Sequence, residues 1–189
     1  MSARQVFHAL GLALVFLTSS AVYAAESKEA QRADVRNSTK TVLKQLYKAQ
    51  PSARKVVESA PGHAVFSNFG MKILFAGGGS GNGIAFDRET GREVFMKMVE
   101  VQAGLGIGVK KFGLVFVFEN PQALRQFIDS GWEAGAQTSV AASDGKQGIS
   151  MQGAISVSPG VWLFQVTDKG LAVEATIKGT KYYKNPDLN

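Results

Sequence analysis

Phe75-Ala-Gly-Gly-Gly-Ser-Gly-Asn-Gly-Ile-Ala-Phe86 is the stretch on which the reading of the chain turns. Gly77, Gly79, Gly81 and Gly83 recur at every second position, and Gln102-Ala-Gly-Leu-Gly-Ile-Gly-Val109 repeats the habit at Gly104, Gly106 and Gly108. Alternate residues of a β-strand share a face, so each stretch is expected to present one face of bare backbone. Glycine weakens a strand and marks a bend, a bulge or a close approach. Three uses remain open: a barrel corner, a packed aromatic, or a ligand against the bare face. A phosphate cradle is excluded by spacing. The dinucleotide fingerprint needs glycines at i, i+2 and i+5, yet Asn82 is sixth from Gly77 and Val109 sixth from Gly104. Gly108 and Gly113 have the P-loop spacing, but Leu114 follows where lysine is required.

Around these stretches the texture is that of strands. His63 to Phe69 and Met71 to Ala76 lead into the first glycine run, and Asp87 to Arg92 reads as a hairpin turn with Gly91 at positive φ. Glu93 to Val101 runs into the second. Phe112-Gly-Leu-Val-Phe-Val-Phe118 is apolar on both faces, the pattern of a central buried strand. Asn120-Pro121 is an N-cap with proline in the first turn, and it opens a helix over Gln122 to Asp129 with Leu124, Phe127 and Ile128 inward. Ile149 to Val157 alternates as a half-exposed strand. Val161 to Thr167 and Leu171 to Ile177 form a hairpin across Asp168-Lys169-Gly170, and Tyr182-Tyr183 with a polar tail closes the chain. The expected fold is α+β: six to eight strands in a strongly curved antiparallel sheet or small barrel-like core, with an N-terminal amphipathic helix and one or two further helices. Trp132, Trp162, Phe116, Phe118 and Phe164 are expected to pack onto the glycines.

The first 24 residues read as a secretory signal. Arg4 supplies a positive start, Ala9 to Leu17 a short apolar run, and Val22-Tyr23-Ala24 a small-residue cleavage site. The apolar run is too short to span a bilayer. The chain has no cysteine, which excludes a disulfide framework and a lipidated cysteine. The expectation is a periplasmic or secreted protein, soluble or peripheral on a membrane and not a lipoprotein, with residues 25–60 a basic helical segment and 61–189 a Gly-rich β domain packing with it as one unit.

The formal charge is +6, but it is placed unevenly. Residues 26–55 carry eight bases against three acids, and residues 56–189 balance at zero. A neutral domain with a basic arm points to a local surface contact and away from nucleic acid. From Asp34 to Gln50 the chain reads as a helix ended by Pro51, with Val35, Val42, Leu43 and Leu46 on one face. Ala53 to Ala60 reads as a second, shorter helix. Lys40, Lys44 and Lys48 flank the apolar stripe on the polar side, and Arg54 and Lys55 follow on the second helix. Two readings stay open for this layout: a core-packed helix with a solvated lysine face, or an interfacial helix on an anionic membrane.

Catalytic chemistry has little to work with. His63 is the sole histidine beyond the signal and reads as a strand-end residue. Asp87, Glu89 and Glu93 alternate with Arg88 and Arg92 and read as a solvated turn. No enzyme activity, metal, cofactor or nucleotide is expected.

Several ordered motifs carry a resemblance. Ala60-Pro-Gly-His-Ala-Val-Phe-Ser-Asn-Phe-Gly-Met-Lys72, the glycine run ending at Ile84, Val101 to Gly108 followed by Leu114 to Asn120, Ala134-Gly-Ala-Gln-Thr-Ser-Val-Ala-Ala142 and Lys169 to Gly179 resemble the SYLF domain family over roughly residues 35–185. The resemblance implies a phospholipid-binding module that uses basic residues and an amphipathic N-terminal helix. It adds Lys72, just before the glycine run, to the helical lysines as a lipid contact. The expected partner is an anionic phospholipid surface, with apolar-ligand carrier and envelope interaction protein as the alternatives.

Overall fold

The computed structural model describes residues 27–73, 76–103, 108–134, 152–172 and 179–189. The signal reading, the glycines at 104 and 106, most of the Ala134–Ala142 motif, the start of the strand read at Ile149 and the last part of the second hairpin lie outside these residues. The first glycine stretch is itself a strand. β1 (Gly62–Ile73) pairs antiparallel with β2 (Ala76–Asp87), and β2 with β3 (Arg92–Ala103). The register sets Phe66, Asn68, Gly70 and Lys72 opposite Gly83, Gly81, Gly79 and Gly77. On the far side of β2 the same glycines meet Met96, Met98, Glu100 and Gln102. All four therefore share the face that carries buried Phe66, Met96 and Met98, as the alternation requires.

What occupies that bare face differs from expectation. A Cβ on Gly83 would collide with the Phe66 ring, and one on Gly81 would meet the Met98 Cγ at 2.9 Å. The side chains that approach the described strand glycines are thus Phe66 at Gly83 and Met98 at Gly81, with Leu124 at Gly62 and Val42 at Gly113. Phe116, Phe118 and Trp132 pack instead with other aromatics, Phe164 belongs to a separate cluster and Trp162 is half-buried.

Nine strands form one sheet among the described residues, in the order β5-β9-β3-β2-β1-β4-β7-β6, with β8 beside β7. Here β4 is Gly108–Phe118, β5 Trp132–Ala134, β6 Ile155–Ser158, β7 Val161–Thr167, β8 Gly170–Ala172 and β9 Thr180–Lys184. Trp132 and Tyr182 come from one end of this order and Val157 and Leu163 from the other, yet they share one core cluster. The sheet must curl strongly for that to happen. Phe66, Phe116, Phe127, Trp132 and Tyr182 fill the curl with ring centroids 5.0–6.4 Å apart. Such aromatic pairs add about 0.5–1.5 kcal/mol beyond the area they bury. α3 (Pro121–Asp129) closes this core with Leu124, Phe127 and Ile128, and its cap is as read: Asn120 Oδ1 accepts from the Ala123 amide at 2.8 Å.

Two readings of the C-terminal part need correction. Tyr182 is no tail residue: β9 inserts between β3 and β5 and Tyr182 is fully buried. Gln152 and Gly153 form a turn rather than a strand, and Gly153 has φ 86°, so the described part of the strand read from Ile149 is Ile155–Ser158. The hairpin between β7 and β8 stands, with Gly170 at φ 111° in its turn.

The outer face of the sheet is covered by helices. β4 has Leu114, Phe116 and Phe118 in the inner cluster and Val115 and Val117 in the outer one, which is why it reads apolar on both faces. Val65, Val115 and Phe164 pair across β1, β4 and β7, and Val42, Leu46, Ala53 and Val57 pack on them. α1 occupies residues 27–49 and α2 Pro51–Ser59. Pro51 both ends α1 and sits in the first turn of α2, where its missing N–H costs nothing. The helix start expected at Asp34 is too late: the bases that overlap the apolar stripe have partners on the body of the protein.

Candidate functional site

α1 crosses the outer face closest at Gly113, where only a bare backbone lets Val42 in. Two of its bases, Arg32 and Arg36, are part of the fold. Arg32 donates Nε to the Leu188 carbonyl at 2.9 Å. Arg36 donates to Glu93 at 2.8 Å and to Glu29 at 3.1 Å, with its guanidinium 5.2 Å from the Phe95 ring centroid. These bonds, led by Glu93, raise the Arg36 pKa, and the bonds from Arg32 and Arg36 hold Glu29 below the usual carboxylate range.

The later bases behave otherwise. Lys40, Lys44 and Lys48 are exposed and make no ion pair among the described residues. Successive ones turn about 40° around the helix, so the three span an arc of roughly 80° on the side away from Val42 and Leu46. Lys55 is exposed and unpaired on α2. Arg54 is exposed but engaged: it bonds Glu58 at 3.3 Å and lies 4.5 Å from the Tyr47 ring centroid. Lys72 stands opposite Gly77 and Gly108 in the backbone register, at the far end of β1 from α2. Thus Lys40, Lys44 and Lys48 form one group, Arg54 and Lys55 a neighbouring one, and Lys72 belongs to the sheet.

A groove lies on each flank of α1. One, of about 540 Å³, is bordered by polar side chains, among them Ser38, Thr41 and Gln45 of α1 and Ser67, Ser80, Asn82 and Lys111 of the sheet. The other, of about 220 Å³, has Leu43, Val65, Ile84 and Phe86 in its walls, with Arg36, Lys40 and Glu93 also bordering it. His63 faces the second. Its Nδ1 is out of contact with water and has no hydrogen-bond partner. Burial, with a smaller contribution from Arg88, pushes its pKa down to about 4, so the ring is neutral at pH 7.

The acidic turn is less solvated than it reads in sequence. Arg88 donates to the Ala60 carbonyl at 2.8 Å and to the Val57 carbonyl at 3.3 Å, capping the C-terminal end of α2. Glu93 is the partner of Arg36. Asp87 accepts from the Glu89 and Thr90 amides and shapes the turn, with Gly91 at φ 68°. A further polar group escaped the sequence reading: Asn68 donates Nδ2 to Glu100 at 3.0 Å, both buried on the inner face. The signal was present, since Glu100 follows Val94, Met96 and Met98 on one face of β3.

Residues 99–189 match the family described as Ysc84, Las17-binding protein actin regulator, the SYLF family. The chain is also similar to Beta cell expansion factor A of Aeromonas veronii, at 33% identity over 162 residues. That match takes in 86% of this chain and 60% of the relative, so the chain spans less than two thirds of the relative's length.

Proposed function

We propose that the protein is a non-enzymatic lipid-binding module of the periplasm that docks peripherally on anionic phospholipid. Its family is one of lipid-binding, actin-regulator-like proteins, which favours lipid as the partner. The observation that carries the reading is the division of bases along α1. Arg32 and Arg36 are taken up by the fold, while Lys40, Lys44 and Lys48 stand exposed and unpaired on one arc, with Lys55 on the next helix. Each base near an anionic surface contributes about 1 kcal/mol. Four such bases give roughly 4 kcal/mol, about a millimolar affinity. Docking by charge alone is therefore weak, reversible and lost as salt screens it.

The carrier reading, an apolar ligand against the glycine face, has less support. At Gly81 and Gly83 the space is already held by Met98 and Phe66. Export through a signal at residues 1–24 underlies the periplasmic assignment.

Co-sedimentation with vesicles tests the reading. The protein pellets with anionic vesicles at low salt and is released at high salt, and it stays in solution with neutral vesicles. Equal binding to neutral vesicles, or salt-independent binding, removes the electrostatic account.

A further inference from the structure

The smaller groove beside α1 has a construction that charge docking does not use. Leu43 and Thr39 of α1 face Val65 of β1 and Ile84 and Phe86 of β2 across it. Val65 and Ile84 are buried, so the wall is set by the fold rather than by chance exposure. Three charged side chains border it, Arg36, Lys40 and Glu93. Arg36 is held by Glu93 and Glu29, which leaves Lys40 as the exposed, unpaired cation at the groove. The His63 ring also borders it, while its Nδ1 is buried away from the open space.

We propose that this cleft receives one acyl chain of an anionic lipid, with Lys40 beside the lipid's phosphate. The inference rests on the lipid-binding reading and gives it a specific lipid contact. Size limits the occupant. Sites that enclose a whole drug-sized ligand measure about 300–1,000 Å³, and this cleft is about 220 Å³. It fits a segment of one chain and excludes a two-chain lipid. Charge limits it too: one unpaired lysine answers one anionic group. The cleft also supplies what the lysine arc lacks, because four exposed bases give only about millimolar binding and each buried methylene adds apolar contact.

Isothermal titration of the purified protein with a single-chain lysophosphatidylglycerol, below its critical micelle concentration, tests the proposal. Glycerol phosphate supplies the headgroup without the chain, and lysophosphatidylcholine the chain without net charge. The chain-bearing anionic lipid is expected to bind at least about tenfold tighter than glycerol phosphate. Leu43→Trp, which fills the cleft, is expected to lose that advantage. Photocrosslinking of the unmodified sequence with a diazirine-tipped acyl chain covers the case in which the variant misfolds. Adducts on residues 39–43, 63–65 and 84–86 support the cleft, whereas adducts on the inner face near Met96 and Met98, or affinity independent of the chain, overturn it. The two readings separate cleanly. Vesicle docking without monomeric lipid binding removes the cleft and leaves the helix face, and the reverse pattern removes the lysine arc and leaves the cleft.

Discussion

Arg32 and Arg36 of α1, and Lys40, Lys44 and Lys48 further along it, keep one four-residue interval and are used in opposite ways. Arg32 and Arg36 lie on the flank of the buried stripe and bond inward, to partners 156 and 57 residues away in sequence. Lys40, Lys44 and Lys48 continue the interval but face outward, with no ion partner among the described residues. Each four-residue step turns about 40°, so an even spacing carries the charge from the packed flank to the solvent side within a few turns. The residue types follow the division. Arginine, with its planar fork of donors, holds a carbonyl or carboxylate at a fixed angle, and lysine presents a mobile point charge. An even row of positive charge is thus two devices, one tying the helix to the C-terminus and β3, the other left exposed.

The largest effect expected to sharpen this comparison comes from Lys40, Lys44 and Lys48 changed together to Gln. Affinity for anionic vesicles falls about 100-fold, on about 1 kcal/mol per base, while the melting temperature holds. A fall in stability instead would mean that these lysines belong with Arg32 and Arg36. The second effect concerns His63, where the two halves meet over the cleft. Its pKa is about 4 in the folded protein against an ordinary 6.5. The unfolded chain therefore takes up the proton first as pH falls. Stability present above pH 6.5 is lost on descending to about 4 and the loss stops below that, up to about 3 kcal/mol in all. Urea denaturation across this range should show the decline, and His63→Gln should flatten it. Arg36→Gln comes third. Arg36 and its partner Glu93 are each about a third exposed, so the cost in urea denaturation is at most about 1 kcal/mol. The smallest is Arg54→Gln, which removes an exposed pair with Glu58 worth about 0.3–0.5 kcal/mol, measurable as a slight shift in melting temperature.

Much of the fold was legible because its signals are local. The alternating glycines put Gly77 to Gly83 on one face, β4 announced itself by apolar residues on both faces, and Asn120-Pro121 marked the start of α3. β9 was not legible. Thr180 and Tyr182 turn inward and Lys181 outward, but a five-residue segment that itself carries two lysines is too short to separate a strand from a tail, and the pairing with Met96 to Glu100 is remote in sequence. The same limit applies to the site. Helical spacing exposed the lysine arc, since it depends on α1 alone. It missed Arg88 as a cap for α2 and Glu93 as the anchor of Arg36, because a charged turn reads as solvated until its partners fold against it. The glycine-packing residues were misassigned for a related reason. Composition points to the largest rings, whereas register alone decides that Phe66 and Met98 lie opposite Gly83 and Gly81.

The absence of cysteine gives the most direct test of the claim that the second half of α1 meets lipid. A single cysteine in place of Lys44, carrying an environment-sensitive dye, reports on that surface alone, and one in place of Glu29 reports on the first half. On addition of anionic vesicles at low salt, the dye at position 44 should shift to the blue and return on raising the salt, with little change at position 29. No shift at position 44, or the same shift with neutral vesicles, would contradict the account.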